Sequence, residues 1–298
     1  MISSKTKLFA VVGHPIDHSL SPLMQNASMK AINYDGVYLA LNIHPNEIIK
    51  TLPVMGKIGF KGINLTIPHK EIVYNNLDFL DDSAQLFKSV NTILFEDDKI
   101  KGFNTDGYGF LRALDYSFGK NVEDDNVFVL GCGGAGRTVA LQSTRSKAKS
   151  IWLADIDEEK ILKLKDEILN LNPKIIINYS TNLDDQIDGC KDSDLIIQAS
   201  PVGMKKNEES LFPEKAFNEN QRVFDLIYMY PETSFMTNAK ISGAKIANGL
   251  GMLLFQGERA FKIWTNHDAN QDIMMSVLSL SLIHISEPTR PERIGYGG

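Results

Sequence analysis

The sequence is poor in cysteine and has no long apolar run. Its 298 residues contain two cysteines, Cys132 and Cys190, without the spacing of a metal site. Two cysteines are too few for a disulfide framework. Such low cysteine content is typical of a reducing compartment, and we therefore expect a cytoplasmic protein. No apolar run is long enough to span a membrane, and the first residues lack the apolar segment of a signal peptide. We therefore expect neither membrane insertion nor export.

Basic residues are fewer than acidic residues. The chain has 31 Lys and Arg residues against 37 Asp and Glu residues, a formal net charge of −6. An acidic chain repels the phosphates of nucleic acid, so we do not expect a nucleic-acid partner. An anionic small molecule would have to be bound by local groups, because the overall field repels it.

Strand-like and helix-like segments alternate along the chain. The first third has the order strand, helix, strand, helix, which is typical of a layered α/β domain with a largely parallel sheet. The middle third continues with five or six short buried strands separated by helices, which predicts a doubly wound, Rossmann-type domain. The length is sufficient for two domains.

Some local patterns predict where helices begin and end. Ser21 is expected to cap a helix whose first residue is Pro22. Pro53 is expected to break a second helix. A strongly periodic helix follows Asp157, its predicted cap, and one face of it carries Ile161, Leu164, Ile168 and Leu171.

The last residues look foreign to the fold. The stretch "LSLIHISEPTR" resembles the translated read-through of a sequencing adapter, and the following "PERIGYGG" has neither helical nor strand periodicity. We expect the folded part to end near Ser279, with residues 280–298 forming an artefactual or disordered tail.

A glycine-rich turn in the middle third predicts a nucleotide-binding loop. In "VLGCGGAGRTVA", the glycines at 131, 133 and 136 have the G-x-G-x-x-G spacing between a predicted strand and a predicted helix. Gly131 would allow the tight turn, Gly133 the approach of a pyrophosphate, and Gly136 the packing of helix on strand. Gly134 and Ala135 lie at the helix start, where N–H groups favour phosphate. A glycine-rich turn without a ligand is the alternative.

An acidic residue follows the second strand of this domain. Asp155 lies 24 residues after Gly131, close to the usual interval of ~20 residues. A carboxylate at this point accepts hydrogen bonds from the ribose hydroxyls of NAD and repels the 2′-phosphate of NADP, which usually needs an arginine. The stretch "ADIDEEK" has four acidic residues and no arginine. We therefore expect NAD as the cofactor.

A second set of polar residues occurs mainly in the first third. It comprises Ser19 and Ser21 in "GHPIDHSLSP", Thr66 and Lys70 in "GINLTIPHK", Asn91 in "SVNTILF", and Asn104, Thr105 and Asp106 in "GFNTDGYG". Each residue alone is compatible with a cap, a turn or a surface charge. Together, the hydroxyls, amides, single cation and single anion suit a small polyhydroxy acid. Thr66 and Lys70 are expected to lie at a strand-to-helix junction, where catalytic groups are often held.

Five motifs in order resemble the shikimate dehydrogenase family. They are "HSxSP" at His18–Pro22, "NxTxPxK" at Asn64–Lys70, "NTDG" at Asn104–Gly107, the glycine loop at 131–136, and "GLGMLxxQ" at Gly249–Gln256. The resemblance covers roughly residues 8–279. No single motif is specific, but five in the same order are.

The resemblance implies an oxidoreductase that reversibly reduces 3-dehydroshikimate to shikimate in aromatic amino acid biosynthesis, the chorismate pathway. Lys70 and Asp106 would be the catalytic pair. The other implied contacts are Ser19 and Ser21 with the substrate carboxylate, Thr66, Asn91 and Gln256 with the ring hydroxyls, Tyr228 beside the substrate, and Gly249 and Met252 near the nicotinamide. Residues 1–105 plus 248–279 would form the substrate-binding domain, and residues 106–247 the dinucleotide-binding domain.

Several alternatives remain open. Most members of the family use NADP and carry an asparagine–arginine pair where this chain has "ADID", so NADP is the family-typical alternative to NAD. Quinate with NAD is the nearest alternative reaction, although the serines at 19 and 21 favour shikimate. A non-catalytic metabolite sensor is a further alternative, which the presence of both Lys70 and Asp106 disfavours. Another Rossmann dehydrogenase is the last alternative, and the "HSLSP" and "NTDG" stretches disfavour it. Monomer and homodimer are both compatible with the sequence.

Overall fold

A computed structural model describes residues 2–77, 79–205 and 207–286. These residues form two six-stranded β-sheets with helices packed on them. The strands of the first sheet lie within residues 7–103, and those of the second within residues 126–248. The α/β class with two sheet domains is confirmed.

The first sheet combines parallel and antiparallel strands. Its members are β1 (Lys7–Gly13), β2 (Gly36–Asn42), β3 (Phe60–Leu65), β4 (Phe79–Leu80), β5 (Thr92–Glu96) and β6 (Lys99–Phe103). Their spatial order is β2-β1-β3-β5-β6-β4. Strand β1 is parallel to β2 and β3, whereas β5 is antiparallel to β3 and β6. The prediction of a largely parallel sheet therefore holds for one half only.

A tight hairpin produces the antiparallel half. Asp97 and Asp98 join β5 to β6, and their φ angles are +52° and +58°. Two successive positive φ angles characterise a type I′ turn, whose twist matches that of the flanking strands. As a consequence, the amino end of β5 meets the carboxyl ends of β1, β3 and β6 at one edge of the sheet.

Four helices accompany the first sheet: α1 (Ser21–Ala31), α2 (Ile48–Lys57), α3 (His69–Tyr74) and α4 (Asp82–Phe87). The predicted cap at Ser21 is wrong, because α1 begins at Ser21 and its capping position is Leu20. The predicted break at Pro53 is also wrong, since Pro53 lies inside α2. Ile48, Leu52 and Met55 of α2 are buried. Burial of each such side chain contributes about 1.5–3 kcal/mol, enough to offset the ~3 kcal/mol cost of an internal proline.

The second sheet is wholly parallel. Its strands are β7 (Asn126–Leu130), β8 (Ser150–Ala154), β9 (Ile176–Ser180), β10 (Leu195–Gln198), β11 (Arg222–Asp225) and β12 (Lys245–Asn248), in the order β12-β11-β10-β7-β8-β9. This is the doubly wound arrangement expected, with the chain reversing its direction of winding between β7 and β10. The prediction that every strand is buried fails for β9, an edge strand whose residues are mostly exposed.

Helices α6 (Gly134–Arg145), α7 (Glu158–Leu171), α8 (Leu183–Lys191) and α9 (Ser234–Ile241) pack around this sheet. The Asp157 carboxylate accepts the N–H groups of Glu159 and Lys160, so the predicted cap of α7 is confirmed. The helix buries Ile161, Leu164 and Ile168. The expectation for Leu171 is wrong, because it is the last residue of the helix and is 39% exposed.

The remaining helices are α5 (Asp106–Phe118), α10 (Leu250–Thr265) and α11 (Gln271–Ser286); α5 follows the first sheet and α10 the second. Helix α5 packs on α10, and α11 packs on α1. One hydrophobic core runs from Phe9 of the first sheet through Phe110 of α5 to Phe224 of the second. The rings of Phe110 and Phe224 are 5.9 Å apart, so α5 links the sheets through direct packing.

Helix α11 extends beyond Ser279, the predicted end of the folded part. It continues to Ser286, and Leu282 is buried in the common core. Residues 287–298 of the predicted tail lie outside the described residues. Within the described ranges, no helix has both the length and the apolar character needed to cross a membrane.

Candidate active site

The polar residues singled out in the sequence gather at one edge of the first sheet. Thr66 follows β3, and Lys70 lies in the first turn of α3. Asn91 immediately precedes β5, and Asp106 begins α5 directly after β6. Ser19 belongs to the loop after β1. Because β5 runs antiparallel to its neighbours, its amino end reaches the same edge as the carboxyl ends of β1, β3 and β6.

Lys70 and Asp106 form an ion pair at this edge. The Lys70 Nζ atom donates to Asp106 Oδ2 at 2.6 Å. The two side chains are partly accessible, with exposed fractions of 30% and 16%. The Lys70 ammonium has three donors, of which this bond uses one, so it can also serve a bound substrate.

The second oxygen of Asp106 is held by Asn91. Asn91 Nδ2 donates to Asp106 Oδ1 at 2.7 Å, and Asn91 Oδ1 accepts the N–H of Thr105 at 2.8 Å. Asn91 is almost fully buried, so these bonds compete with little water. The sequence resemblance assigned Asn91 to the substrate, whereas its contacts here fix the orientation of the Asp106 carboxylate.

A buried network missed by the sequence interpretation extends behind this pair. The Tyr38 hydroxyl donates to Asn64 Oδ1 at 2.7 Å, and Asn64 Nδ2 donates to Thr92 Oγ1 at 3.0 Å. Thr92 Oγ1 in turn donates to Asn91 Oδ1 at 2.8 Å. Burial raises the pKa of Tyr38 well above its usual value, with a smaller opposing effect from the Ser21 hydroxyl, so the phenol remains a donor. Tyr38 and Asn64 lie on strands separated by β1, a relation visible only from sheet order.

The site opens into a cavity of about 360 Å³ between the two sheets. Its lining includes all eight residues predicted to be catalytic or substrate-binding and three of the predicted cofactor residues: Ser19, Ser21, Thr66, Lys70, Asn91, Asp106, Tyr228, Gln256, Ala135, Gly249 and Met252. Asn64, Asp17 and His18 also line it. Gly131, Gly133, Gly134, Gly136 and Asp155 lie outside the lining.

The wall formed by the second sheet depends on Asp225, the last residue of β11. Asp225 Oδ2 accepts the Thr233 hydroxyl at 2.6 Å, and Oδ1 accepts the N–H of Ile227 at 3.0 Å. Asp225 is fully buried, and this burial raises the pKa of its carboxyl to about 6 despite the two hydrogen bonds. The bonds shape the segment 226–233, from which Tyr228 reaches the cavity. Burial also raises the pKa of Tyr228.

The glycine loop has a geometry that fits a dinucleotide. Gly131 has a φ of +99°, which a side chain would disfavour. A Cβ atom at Gly136 would lie 1.8 Å from the Gly131 carbonyl oxygen, whereas Cβ atoms at Gly133 and Gly134 would meet no atom within 4 Å. The loop is therefore closely packed at Gly136 and open at Gly133 and Gly134. The open side is the first turn of α6, where N–H groups and the helix dipole favour pyrophosphate.

Asp155 lies at the end of β8 beside this loop. Its Oδ2 atom accepts the N–H of Cys132 at 2.7 Å, and its Oδ1 atom accepts the N–H of Asp157 at 3.0 Å. The carboxylate is therefore fixed by the backbone and remains partly accessible. Burial, and secondly the charge of Asp155, raise the pKa of the Cys132 thiol to about 12, so this thiol adds no charge to the loop. Among the described residues, no His, Cys, Asp and Glu cluster could hold a metal ion.

Comparison with known proteins agrees with this geometry. A family model described as the shikimate dehydrogenase substrate binding domain matches residues 11–93, and one described as the shikimate 5′-dehydrogenase C-terminal domain matches residues 249–278. The shikimate dehydrogenase (NADP(+)) of Methanocaldococcus jannaschii is 40% identical over 283 residues, which cover 93% of this chain and 98% of that protein. The chain belongs to the shikimate dehydrogenase family. The resemblance based on the five motifs is thereby confirmed.

Solved structures of the shikimate dehydrogenase family share the fold. A crystal structure of shikimate dehydrogenase in complex with NADP+ has a TM-score of 0.87 at 38% identity, and the match covers 95% of this chain and 98% of that one. Shikimate 5-dehydrogenase from Listeria monocytogenes, in complex with shikimate and NAD, has a TM-score of 0.87 at 29% identity over 93% of this chain and 98% of that one. Both nicotinamide cofactors thus occur among proteins of this fold.

Proposed function

We propose that this protein catalyses the reversible, nicotinamide-dependent reduction of 3-dehydroshikimate to shikimate. The observation that carries the proposal is the ion pair between Lys70 and Asp106 at 2.6 Å, placed in a cavity between the two sheets. A cation that can donate a proton and a wall of hydroxyl groups suit a carbonyl on a small hydroxylated acid.

The proposed chemistry needs one proton at the reacting oxygen. When bound, the nicotinamide cofactor supplies the hydride in reduction and accepts it in oxidation. Lys70 donates the proton to the carbonyl oxygen in reduction and stabilises the negative charge that develops there. In the reverse direction the neutral amine takes the proton from the hydroxyl. Asp106 accepts a hydrogen bond from Lys70 Nζ and so orients the Lys70 side chain.

The remaining cavity residues are proposed to bind the substrate. Ser19 and Ser21 would donate their hydroxyls to its carboxylate, because both lie on the β1–α1 side of the cavity. Thr66 and Gln256 would contact the ring hydroxyls. The Asn91 amide is already hydrogen-bonded to Thr92, Thr105 and Asp106, so its proposed part is to hold Asp106. Tyr228 would close the cavity from the second sheet.

We propose NAD as the preferred cofactor, with NADP as the alternative. Asp155 presents a backbone-fixed carboxylate beside the glycine loop, and the stretch from 154 to 160 has no arginine that could accept a 2′-phosphate. Of the three matches named above, one is named for NADP(+), one was solved with NADP+ and one with NAD, so both cofactors occur in the family and NADP is the more frequent among these three.

The proposed division of labour follows the two sheets. Residues 1–105 and 248–279 would bind the substrate, and residues 106–247 would bind the dinucleotide, with the chemistry at the interface. Both cysteines are free and buried, and we propose a reducing compartment, the cytoplasm, for the reaction.

The test is an absorbance assay at the nicotinamide band with purified protein. Shikimate and quinate are each supplied with NAD and with NADP. The proposal predicts turnover of shikimate well above quinate, and faster with NAD than with NADP. Turnover of quinate alone would reject the substrate assignment, and no turnover with either substrate would reject the reaction.

The cofactor proposal is tested by Asp155→Asn in the same assay. Removal of the carboxylate charge should lower the preference for NAD over NADP by about tenfold or more, since loss of a charge-assisted contact is worth ~1.5–3 kcal/mol. Asp184→Asn, at an exposed acid in the first turn of α8, is the matched control and should leave the ratio unchanged. An unaltered ratio in Asp155→Asn would show that this carboxylate does not face the ribose.

A further inference from the structure

Arg137, in the first turns of α6, points away from the glycine loop. Its Nε atom donates to Glu167 Oε2 of α7 at 2.6 Å, and its Nη1 atom donates to the carbonyl oxygen of Phe87. Phe87 is the last residue of α4, one of the four helices that accompany the first sheet. A single, largely buried guanidinium therefore joins the helix of the cofactor loop to a helix of the opposite half.

The residue that receives this bond lies directly behind the catalytic pair. The Phe87 ring is buried and lies against Gly107, the neighbour of Asp106. A Cβ atom at Gly107 would be 2.5 Å from Phe87 Cζ and 2.6 Å from Gln142 Oε1 of α6. The start of α5 is thus packed between α4 and α6, with no space for even a methyl group.

The chain after Phe87 leads to the Asp106 partner. Asn104 Nδ2 donates to the Ser89 carbonyl at 3.1 Å and to Ser89 Oγ at 2.8 Å. Asn91, two residues after Ser89 in the chain, donates its side-chain amide to Asp106 Oδ1. The segment 87–91 is consequently held by Arg137 at one end and by the Asp106 carboxylate at the other.

We infer that Arg137 is a positioning residue, which fixes the Lys70–Asp106 pair relative to the cofactor loop through Phe87. Arg137 touches neither Lys70 nor Asp106, and it does not line the cavity. Its loss would free the carbonyl end of α4 and the Phe87 ring, and so the start of α5. This inference rests on the proposed function, because it concerns the same catalytic pair.

The alternative is an ion pair with a purely structural role. Breaking a buried pair destabilises a protein because one charge loses its partner. Two variants separate the two roles. Arg137→Gln removes both contacts, whereas Glu167→Gln removes the charge partner but leaves the guanidinium bonded to Phe87. Glu167 Oε1 also lies 3.5 Å from Lys88 Nζ, so Lys88→Gln, which removes that second ion pair alone, is measured beside it. Arg145→Gln, at an exposed position at the end of the same helix, is the matched control.

The measurements are kcat with both substrates saturating, Kd for NADH by its fluorescence, and Tm. We expect Arg137→Gln to lower kcat about tenfold, because small displacements of reacting groups are costly, with Kd for NADH changed less than about twofold. Arg137→Lys should be similarly impaired. The guanidinium contacts Glu167 and Phe87 through different nitrogen atoms of a planar group, and a lysine has a single nitrogen without this geometry. Glu167→Gln should lower Tm and retain kcat. Arg145→Gln should change none of the three.

Three results would overturn the inference. A lower Tm with unchanged kcat in Arg137→Gln, measured well below the Tm of the variant, would reduce Arg137 to a structural role. A raised Kd for NADH with unchanged kcat would make it a cofactor contact. A loss of kcat in Glu167→Gln equal to that in Arg137→Gln, with kcat of Lys88→Gln unchanged, would assign the effect to the Arg137–Glu167 ion pair rather than to Phe87. Failure of the proposed function is recognised separately, as absence of shikimate turnover in the unaltered protein.

Discussion

At the scale of single residues, the site combines groups that face the substrate with groups that hold them. Lys70 belongs to the first kind and Asn91 largely to the second, because its amide contacts Asp106 and Thr105. The pattern "SVNTILF" identified Asn91 as a polar residue at a strand start but could not show its contacts. Those depend on β5 and β6 being paired, which brings residues 91 and 106 together.

Replacement of Asn91 by alanine should lower kcat more than it raises KM. The Asp106 carboxylate would lose one donor, and the buried N–H of Thr105 would lose its acceptor. We expect a loss of about 1–3 kcal/mol in the free energy of unfolding and a fall in kcat of about tenfold or more. Steady-state kinetics and urea unfolding measure both quantities. A variant with raised KM and unaltered kcat would show that Asn91 only binds the substrate.

Asp225 should make stability depend on pH. Burial raises its pKa in the folded state to about 6, so the folded protein keeps a proton that the unfolded chain has released. Its contribution is therefore greatest below the unfolded pKa of about 4 and is lost as the pH rises through 6. Relative to the unaltered protein, Asp225→Asn should gain about 2–3 kcal/mol between pH 4 and pH 6.5. Urea unfolding of both proteins at several pH values tests this, and a constant difference would contradict it.

At the scale of secondary structure, the crossing of α5 and α10 sets the distance between Asp106 and Gln256. Gly109 allows this crossing, because a Cβ atom there would lie 2.8 Å from the backbone of Met252 and Gln256. The Thr105 hydroxyl reaches Gln256 Oε1 at 3.5 Å across the same contact. The position of the catalytic helix thus depends on a missing side chain.

Gly109→Ala should separate these helices. Overpacking of a close contact costs about 1–3 kcal/mol, and the atoms in contact here are backbone atoms that cannot move aside. We expect a Tm several degrees lower together with a lower kcat. Gly251→Ala is the matched control, since its Cβ would lie 3.2 Å from the Ala113 side chain on the same interface. An effect of Gly251→Ala as large as that of Gly109→Ala would contradict this account.

The alternation of strands and helices could be predicted well from the sequence, whereas the pairing of strands within a sheet could not. The doubly wound sheet follows from strands and helices that alternate at regular spacing, and the cap at Asp157 from a local signal. The hairpin at Asp97 and Asp98 was missed, because the turn lacks the usual glycine. Pro53 remained helical because tertiary burial outweighed a local preference. Tyr38 was missed because its partner Asn64 is two strands away in the sheet.

At the scale of the whole molecule, the site exists only where the two sheets meet. The cavity takes Lys70 and Thr66 from the first sheet, Tyr228 from the second, and Gln256 from the helix that returns between them. The net charge of −6 would repel an anionic substrate, so the cation at 70 and the serines of the β1–α1 loop have to hold it locally.

The most direct test of this account is the turnover of Lys70→Ala. Removal of the ammonium takes away the proton donor, so we expect kcat for shikimate to fall by at least ~100-fold, with Kd for NADH unchanged because the glycine loop is intact. Lys50→Ala, at an exposed lysine of α2, should behave like the unaltered protein. A Lys70→Ala variant that retained near-normal kcat would contradict the assignment of Lys70 as the group that moves the proton.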